Sequence, residues 1–197
     1  MKRILLIFLC LVPAFRPLRA QVNEMALPDY YLQYVPIAAG LSLGWCGVES
    51  RNNTLDRFIV TGVGAVSTFA IVQFLKATTH EMRPDGTTDN SFPSGHTATA
   101  FLGAEIVRHE YGLGWGLAAY GVATSVAALR VYHHRHFWWD TLAGAGLGIL
   151  CANIGYWTLE PVHKLFGIGG SRDLAFSLSP AYDPLSGAVC TSLQVRF

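Results

Sequence analysis

The stretch from Lys76 to Asp140 contains three polar pieces, which read KATTHEMRP (76–84), PSGH (93–96) and RVYHHRHFWWD (130–140). Six residues separate Lys76 from Arg83, five separate Arg130 from His136, and three separate His136 from Asp140. Taken singly, each piece is ordinary, because Pro-Ser-Gly is a common turn sequence and an isolated Arg or His has many structural uses. Their order and spacing make the combination specific.

The composition is typical of a membrane protein, since 51% of the 197 residues are hydrophobic and only 14% are charged. Five apolar runs follow residue 20, and four of them are uncharged along their length: 30–48, 58–75, 96–107, 112–129 and 141–159. About 18 to 20 residues of helix cover roughly the 30 Å of a bilayer's hydrocarbon core. The predicted fold class is therefore an all-α, polytopic membrane helical bundle with about five or six spanning helices. A soluble bundle with buried helices is the less favoured alternative.

The net charge and the cysteine spacing limit the partners and the cysteine chemistry that we expect. A net charge of +1 gives no broad basic surface, so nucleic acid is not an expected partner. The four cysteines lie far apart without a Cys-x-x-Cys pair, which indicates neither a zinc site nor a disulfide framework.

The two ends of the chain differ from its middle. Residues 1–20 combine basic residues with an apolar run, which predicts either a signal peptide or a first membrane anchor. Residues 21–160 form the predicted helical domain, and residues 161–197 form a C-terminal tail. Apolar residues alternate with small or polar ones at 174–178 and again at 193–197, which predicts a short β-hairpin.

The direction of the apolar runs predicts that the three polar pieces share one side of the membrane. Two crossings separate Lys76 from Arg130, because one run goes inward after the second piece and the next run returns. With the basic N-terminus inside, the shared side is the exported one. Segment 21–29 carries two acidic residues and no Lys or Arg, as expected outside. We therefore expect a multi-pass protein of a bacterial inner membrane, with its site facing the periplasm or exterior.

The basic residues of the three pieces suit phosphate chemistry. Lys76, Arg83 and Arg130 supply three positive charges, and the planar Arg side chains pair well with phosphate oxygens. For any one of them, a charge reaching lipid headgroups is the simpler interpretation. Three of them on one membrane face favour a phosphate site.

The remaining polar residues supply anion donors and histidines. Ser94 and Gly95 open a predicted helix, whose first N–H groups can donate to an anion, and His96 is placed to act as a general acid. A plain N-cap explains Ser94 alone. His136 and Asp140 are four residues apart, which places them on one face if the segment is helical. A carboxylate on one ring nitrogen would leave the other nitrogen free to attack phosphorus.

The three pieces resemble the signature of the type 2 phosphatidic acid phosphatase and vanadium haloperoxidase superfamily, written Lys-x6-Arg-Pro, Pro-Ser-Gly-His and Ser-Arg-x5-His-x3-Asp. One position departs from it, since Leu129 stands where the family usually has Ser. The resemblance implies that His136 is a nucleophile that forms a phosphohistidine, that Asp140 orients it, and that His96 is the general acid. It also implies a set of phosphate ligands: Lys76, Arg83, Ser94, Gly95 and Arg130.

The resemblance implies a membrane phosphatase that hydrolyses a lipid phosphate monoester or diphosphate without a metal or other cofactor. Two alternatives remain open, a vanadate-dependent haloperoxidase and a non-catalytic protein that binds lipid headgroups. The sequence does not select the lipid.

Two further groups of polar residues have competing interpretations. A metal site formed by His133, His134 and His136 is not favoured, because no carboxylate or Cys converges on that short loop. Glu105 lies inside a predicted span, where an ionisable group is a functional candidate. An ordinary intrahelical pair with Arg108 is the favoured interpretation.

Overall fold

The computed structural model describes residues 28–166, 175–182 and 189–196. The predicted signal or anchor in residues 1–20 lies outside them. The described part of the chain is a helical bundle, which confirms the predicted class. Its helices are α1 (Pro28–Leu32), α2 (Val35–Ser42), α3 (Thr54–Thr79), α4 (Gly95–Tyr111), α5 (Leu113–Tyr132) and α6 (Trp138–Phe166).

The C-terminal tail contains the predicted hairpin. Strands β1 (Ala175–Tyr182) and β2 (Val189–Arg196) pair antiparallel, with Ala175 opposite Arg196. Helix α6 continues through Pro161 to Phe166, so the predicted domain boundary at residue 160 falls inside a helix.

The first apolar run, residues 30–48, is not one continuous helix as its composition suggested. α1 ends at Leu32, α2 begins at Val35, and a short 3-10 helix (Leu43–Cys46) follows. Pro36 lies in the first turn of α2, where its missing N–H costs nothing, whereas it would remove a hydrogen bond from the middle of a longer helix. Because of this break, α1 and α2 are separate helices.

Helix α4 lies at the centre of the bundle and packs against α5, α6 and α2. Its side chains contribute to two apolar clusters. The first cluster, shared with α5, contains Ala100, Ala104, Val107, Ala119, Ala123 and Val126. The second, shared with α3 and α6, contains Val60, Leu102, Ile106, Cys151 and Ala152. Many of these residues are small, which lets neighbouring backbones approach closely.

Glycines of α6 face the backbone of α4 directly. A Cβ added at Gly144 would lie 2.5 Å from the carbonyl oxygen of Ser94, and one at Gly148 would lie 2.2 Å from that of Ala98. A methyl group does not fit at such distances. This contact fixes the start of α6, which carries Asp140, against the start of α4.

The surface of the bundle is strongly apolar. α3 and α6 are each long and apolar enough to cross a bilayer. Large hydrophobic side chains point outward from α3, α5 and α6, among them Phe69, Phe74, Leu117, Leu142 and Trp157. Exposed apolar area of this extent is characteristic of a lipid-facing or partner-facing surface. The expected number of five or six spans stays a prediction.

The glycine contact between α6 and α4 generates a stability prediction. Gly148→Ala should destabilise the protein by about 1–3 kcal/mol, because the methyl group meets the Ala98 carbonyl and forces the helices apart. Gly146→Ala, in the same helix but with open space around the position, should be neutral or stabilising. Thermal unfolding of both variants in detergent measures this, and equal midpoints would contradict the close contact.

Candidate active site

The three polar pieces meet at one end of the bundle. Lys76 lies in the last turn of α3 and Arg130 in the last turn of α5, while α4 and α6 begin at the same end. The Ser94 N–H donates to the Asp140 carbonyl at 3.0 Å, which joins the starts of α4 and α6. The second and third pieces are therefore in direct contact.

His136 and Asp140 are brought together, although they do not share a helix as their spacing suggested. His136 lies in the loop before α6, whereas Asp140 lies in the first turn of that helix. The Asp140 Oδ2 atom accepts from the Phe137 N–H at 3.0 Å and lies 3.5 Å from the His136 Nδ1 atom. This carboxylate accepts from the backbone N–H of the residue that precedes α6, so the chain turns there before the helix begins.

Ser91 is a site residue that the sequence did not single out. Its hydroxyl donates a short hydrogen bond to the Asp140 Oδ2 atom and lies 3.5 Å from the His136 Nδ1 atom. Ser91 and Asp140 are both fully buried. The hydroxyl therefore helps to fix the carboxylate beside the imidazole. A Ser three residues before Ser94 carries no sequence signal beyond its closeness to the second polar piece.

The environment of His136 favours its neutral form. The side chain is almost fully buried, and this burial lowers its pKa to about 4. The hydrogen bond to Asp140 opposes the shift, whereas the positive charges of Arg130, Lys76 and Arg83 add to it. Three cations from the first and third polar pieces thus act on one imidazole, which keeps a nitrogen lone pair at neutral pH.

Arg83 reaches the site from the loop between α3 and α4 and is largely buried. Two contacts attach this loop to the start of α6. The Arg135 side chain pairs with Asp85 at 3.0 Å, and the Trp139 indole N–H donates to the Glu81 carboxylate at 2.9 Å. These contacts, one before and one after Arg83, limit the motion of the loop that carries it.

Helix α1 contributes an acidic residue that contacts the third piece. Arg130 Nη1 lies 2.9 Å from Asp29 Oδ2, and both side chains are fully buried. The His133 Nδ1 atom lies 3.3 Å from the other Asp29 oxygen. The contact joins residues 101 positions apart in sequence, so no local pattern could have indicated it.

The second piece is placed as predicted at the start of α4, with one correction. The Ser94 N–H is engaged by the Asp140 carbonyl, so it is not one of the donors available to an anion. The Ser94 hydroxyl contacts the Thr97 hydroxyl at 3.0 Å and does not cap the helix. Gly95 is the first residue of α4 and His96 the second, and their roles stay predictions.

The structure bears on two interpretations of nearby polar residues, a metal site in the histidine-rich loop and an ion pair of Glu105 with Arg108. Within residues 28–166 and the two described strands, no group of three His, Cys, Asp or Glu side chains is arranged to hold a metal ion. Glu105 forms the intrahelical pair with Arg108, at 2.6 and 2.8 Å. That interpretation of Glu105 is confirmed.

The sequence profile of the PAP2 superfamily matches residues 58–163, which is more than half of the chain and includes every predicted site residue. The chain belongs to the PAP2 superfamily. This confirms the resemblance carried by the three polar pieces. Leu129, the one departure from the signature, is half-buried in the last turn of α5 of this PAP2 chain.

Two known proteins are similar to the chain. A protein of Porphyromonas gingivalis named lipid A 1-phosphatase is 38% identical over 140 residues, covering 69% of this chain and 32% of the relative. The chain thus spans about a third of the length of this curated relative. A crystal structure of Aquifex aeolicus LpxE superposes with a TM-score of 0.53 at 22% identity, covering 78% of this chain and 94% of that one. This second similarity shows the shared fold.

The burial of His136 predicts an unusual titration. In phosphate-free buffer, its imidazole should stay neutral as the pH falls through 6.5 and should gain a proton only near pH 4. Protonation is opposed in the folded state, so the neutral imidazole persists on the acid side of neutrality. A ¹⁵N NMR titration of histidine-labelled protein measures this, with His136→Gln assigning the signal. A midpoint near 6.5 would contradict the burial.

Proposed function

We propose that the chain is a membrane-embedded phosphatase that hydrolyses a lipid phosphate monoester or diphosphate. The proposal rests on one buried imidazole. This imidazole is neutral, contacts a carboxylate and lies in the electrostatic field of Lys76, Arg83 and Arg130. Three cations can neutralise the oxygens of a phosphoryl group, whose charge is spread widely in the transition state. The apolar outer surface suits a substrate whose acyl chains remain in the bilayer.

The proposed reaction passes through a phosphohistidine. With the His136 Nδ1 proton directed at Asp140, the lone pair on Nε2 attacks phosphorus, and the bond from phosphorus to the leaving oxygen breaks. His96 gives its proton to that oxygen. Water then attacks the phosphohistidine while neutral His96 takes a proton from it, the phosphorus–nitrogen bond breaks, and inorganic phosphate leaves. Asp140 stabilises the imidazolium that would form during attack.

The relative's name suggests where to look for the substrate. Because the Porphyromonas gingivalis protein is named a lipid A 1-phosphatase, we propose a phosphorylated glycolipid as the first compound to assay. Phosphatidic acid, phosphatidylglycerol phosphate and undecaprenyl diphosphate complete the panel. The stacked rings of Phe137 and Trp139, whose centroids are 4.5 Å apart, and the exposed Trp138 lie beside the site. They suit the membrane interface, where a phosphorylated headgroup would lie.

Phosphate release from this panel and capture of the intermediate test the proposal together. Protein mixed with ³²P-labelled lipid and quenched in alkali should retain label on one histidine, because phosphohistidine is stable to base and labile to acid. His136→Ala should lose both the label and turnover, by at least about 10⁴-fold in kcat. Asp140→Asn should retain slow turnover, since the nucleophile is present but poorly oriented.

The same assay separates the alternatives. Turnover should persist in EDTA, and loss of turnover that added zinc reverses would support metal chemistry instead. Vanadate should inhibit phosphate release. Halide oxidation after vanadate addition, without phosphate release, would favour a haloperoxidase. Tight headgroup binding with no turnover of any lipid would favour the non-catalytic alternative.

We also propose that the site faces the exported side of the membrane. Basic residues lie at the opposite end of the bundle, where Arg57 is in the first turn of α3 and Arg108 and Lys164 are in the last turns of α4 and α6. Positive residues concentrate on the cytoplasmic side of membrane proteins. The exposed Cys46 precedes α3 at that opposite end, whereas the exposed Met82 lies in the loop beside the site.

Cysteine labelling measures this orientation. In variants that retain one cysteine, a membrane-impermeant maleimide should label Met82→Cys in intact spheroplasts. It should label Cys46 only after the cells are permeabilised. The reverse pattern would place the site in the cytoplasm.

A further inference from the structure

Helix α1 is the shortest α-helix of the described residues, yet two of its consecutive residues approach two different polar pieces. Asp29 pairs with Arg130 at 2.9 Å, and the Tyr30 ring lies 5.9 Å from the His96 ring, centroid to centroid. The profile match begins at residue 58 and so does not include α1. The segment preceding the family region thus contacts its site.

The contacts of Asp29 engage both of its carboxylate oxygens. Oδ2 lies 2.9 Å from the Arg130 Nη1 atom, and Oδ1 lies 3.3 Å from the His133 Nδ1 atom. Asp29 and Arg130 are both fully buried, so neither charge is screened by water. Removing one member of such a pair leaves the other charge buried without its counter-ion, which is strongly unfavourable.

The pair has a geometric consequence for Arg130. A guanidinium is planar and rigid, so holding Nη1, together with the attachment of the group to its own side chain, restricts the directions in which its other N–H groups point. A phosphate recognised by this group would meet donors that are already oriented, and preorganised donors are those that stabilise a transition state most effectively. Lys76 and Arg83 carry the same charge as Arg130, so neither can serve as its counter-ion.

We infer that Asp29 is a positioning residue, which holds Arg130 in the orientation that binds the phosphoryl group and so makes α1 a part of the active site. The inference rests on the proposed function only in assigning Arg130 to phosphate. Asp29 does not touch the substrate in this role; it acts through Arg130. The competing explanation is that the pair merely anchors α1 to the bundle.

Affinity for vanadate separates the two explanations, because an inhibition constant does not depend on how much of the protein is folded. For Asp29→Asn, positioning predicts that kcat/KM falls about tenfold or more and that the vanadate inhibition constant rises by a similar factor, as expected when an oriented donor is lost. An anchoring role predicts less active protein with an unchanged inhibition constant. Direct vanadate binding, followed by ⁵¹V NMR, gives the same comparison without turnover.

Asp29→Glu keeps the charge and the ion pair but displaces the carboxylate by one methylene group. Positioning predicts weaker vanadate binding in this variant as well, whereas anchoring predicts wild-type affinity. This second variant also covers the case in which Asp29→Asn does not fold. In an Arg130→Ala background, Asp29→Asn should cause little further loss of vanadate affinity, because the group it positions is already absent.

Asp56→Asn provides a matched control. Asp56 pairs with His163 at 2.7 Å near the opposite end of the bundle, so its replacement breaks a comparable carboxylate contact far from the site. We expect unchanged vanadate affinity in this variant. Wild-type affinity in both Asp29 variants would overturn the inference while leaving the proposed function intact. If the unsubstituted protein neither binds vanadate nor releases phosphate, the proposed function fails and the inference fails with it.

Discussion

Asp140 is fully buried in the first turn of α6, where its carboxylate accepts hydrogen bonds from Ser91 and from the Phe137 N–H and faces the His136 ring. A buried carboxylate is unfavourable unless such partners are supplied. The backbone carbonyl of Asp140 also accepts a hydrogen bond from the Ser94 N–H. The orientation of the imidazole is therefore coupled to the docking of α6 on α4. The glycines of α6 permit that docking, because larger residues would hold the two backbones apart.

The charges of the site explain why it lies where the helices end and not within the apolar middle of the bundle. Three cations act on one buried imidazole, and their mutual repulsion in a medium of low dielectric is substantial. Asp29 and Asp140 offset part of that repulsion. A dianionic phosphoryl group would offset more of it, so a ligand of this charge should stabilise the folded protein as well as occupy the site.

The sequence predicted well that the three polar pieces come together, but it predicted poorly which residues contact each other there. Spacing and the count of crossings placed Lys76 and Arg130 at the same end, since these depend on helix lengths that apolar runs reveal. The sequence left the local conformation between His136 and Asp140 open, because a spacing of four residues suits both a helix and a loop that a carboxylate closes. Ser91 and Asp29 were not identified as site residues. Their roles depend on tertiary contacts, and an isolated Ser or Asp near a turn has no distinguishing pattern.

Glu105 shows how the bundle accommodates charge away from the site. It lies ten residues after the start of α4, which at a rise of 1.5 Å per residue is roughly 15 Å along the helix from the site. The Glu105 side chain is buried, so its hydrogen bonds must come from the protein. Arg108, Tyr120 and, at 3.4 Å, Asn153 supply them. Residues of α4 itself, α5 and α6 thus contribute to one cluster around this carboxylate. The cluster lets α4 carry a carboxylate in the interior of the bundle.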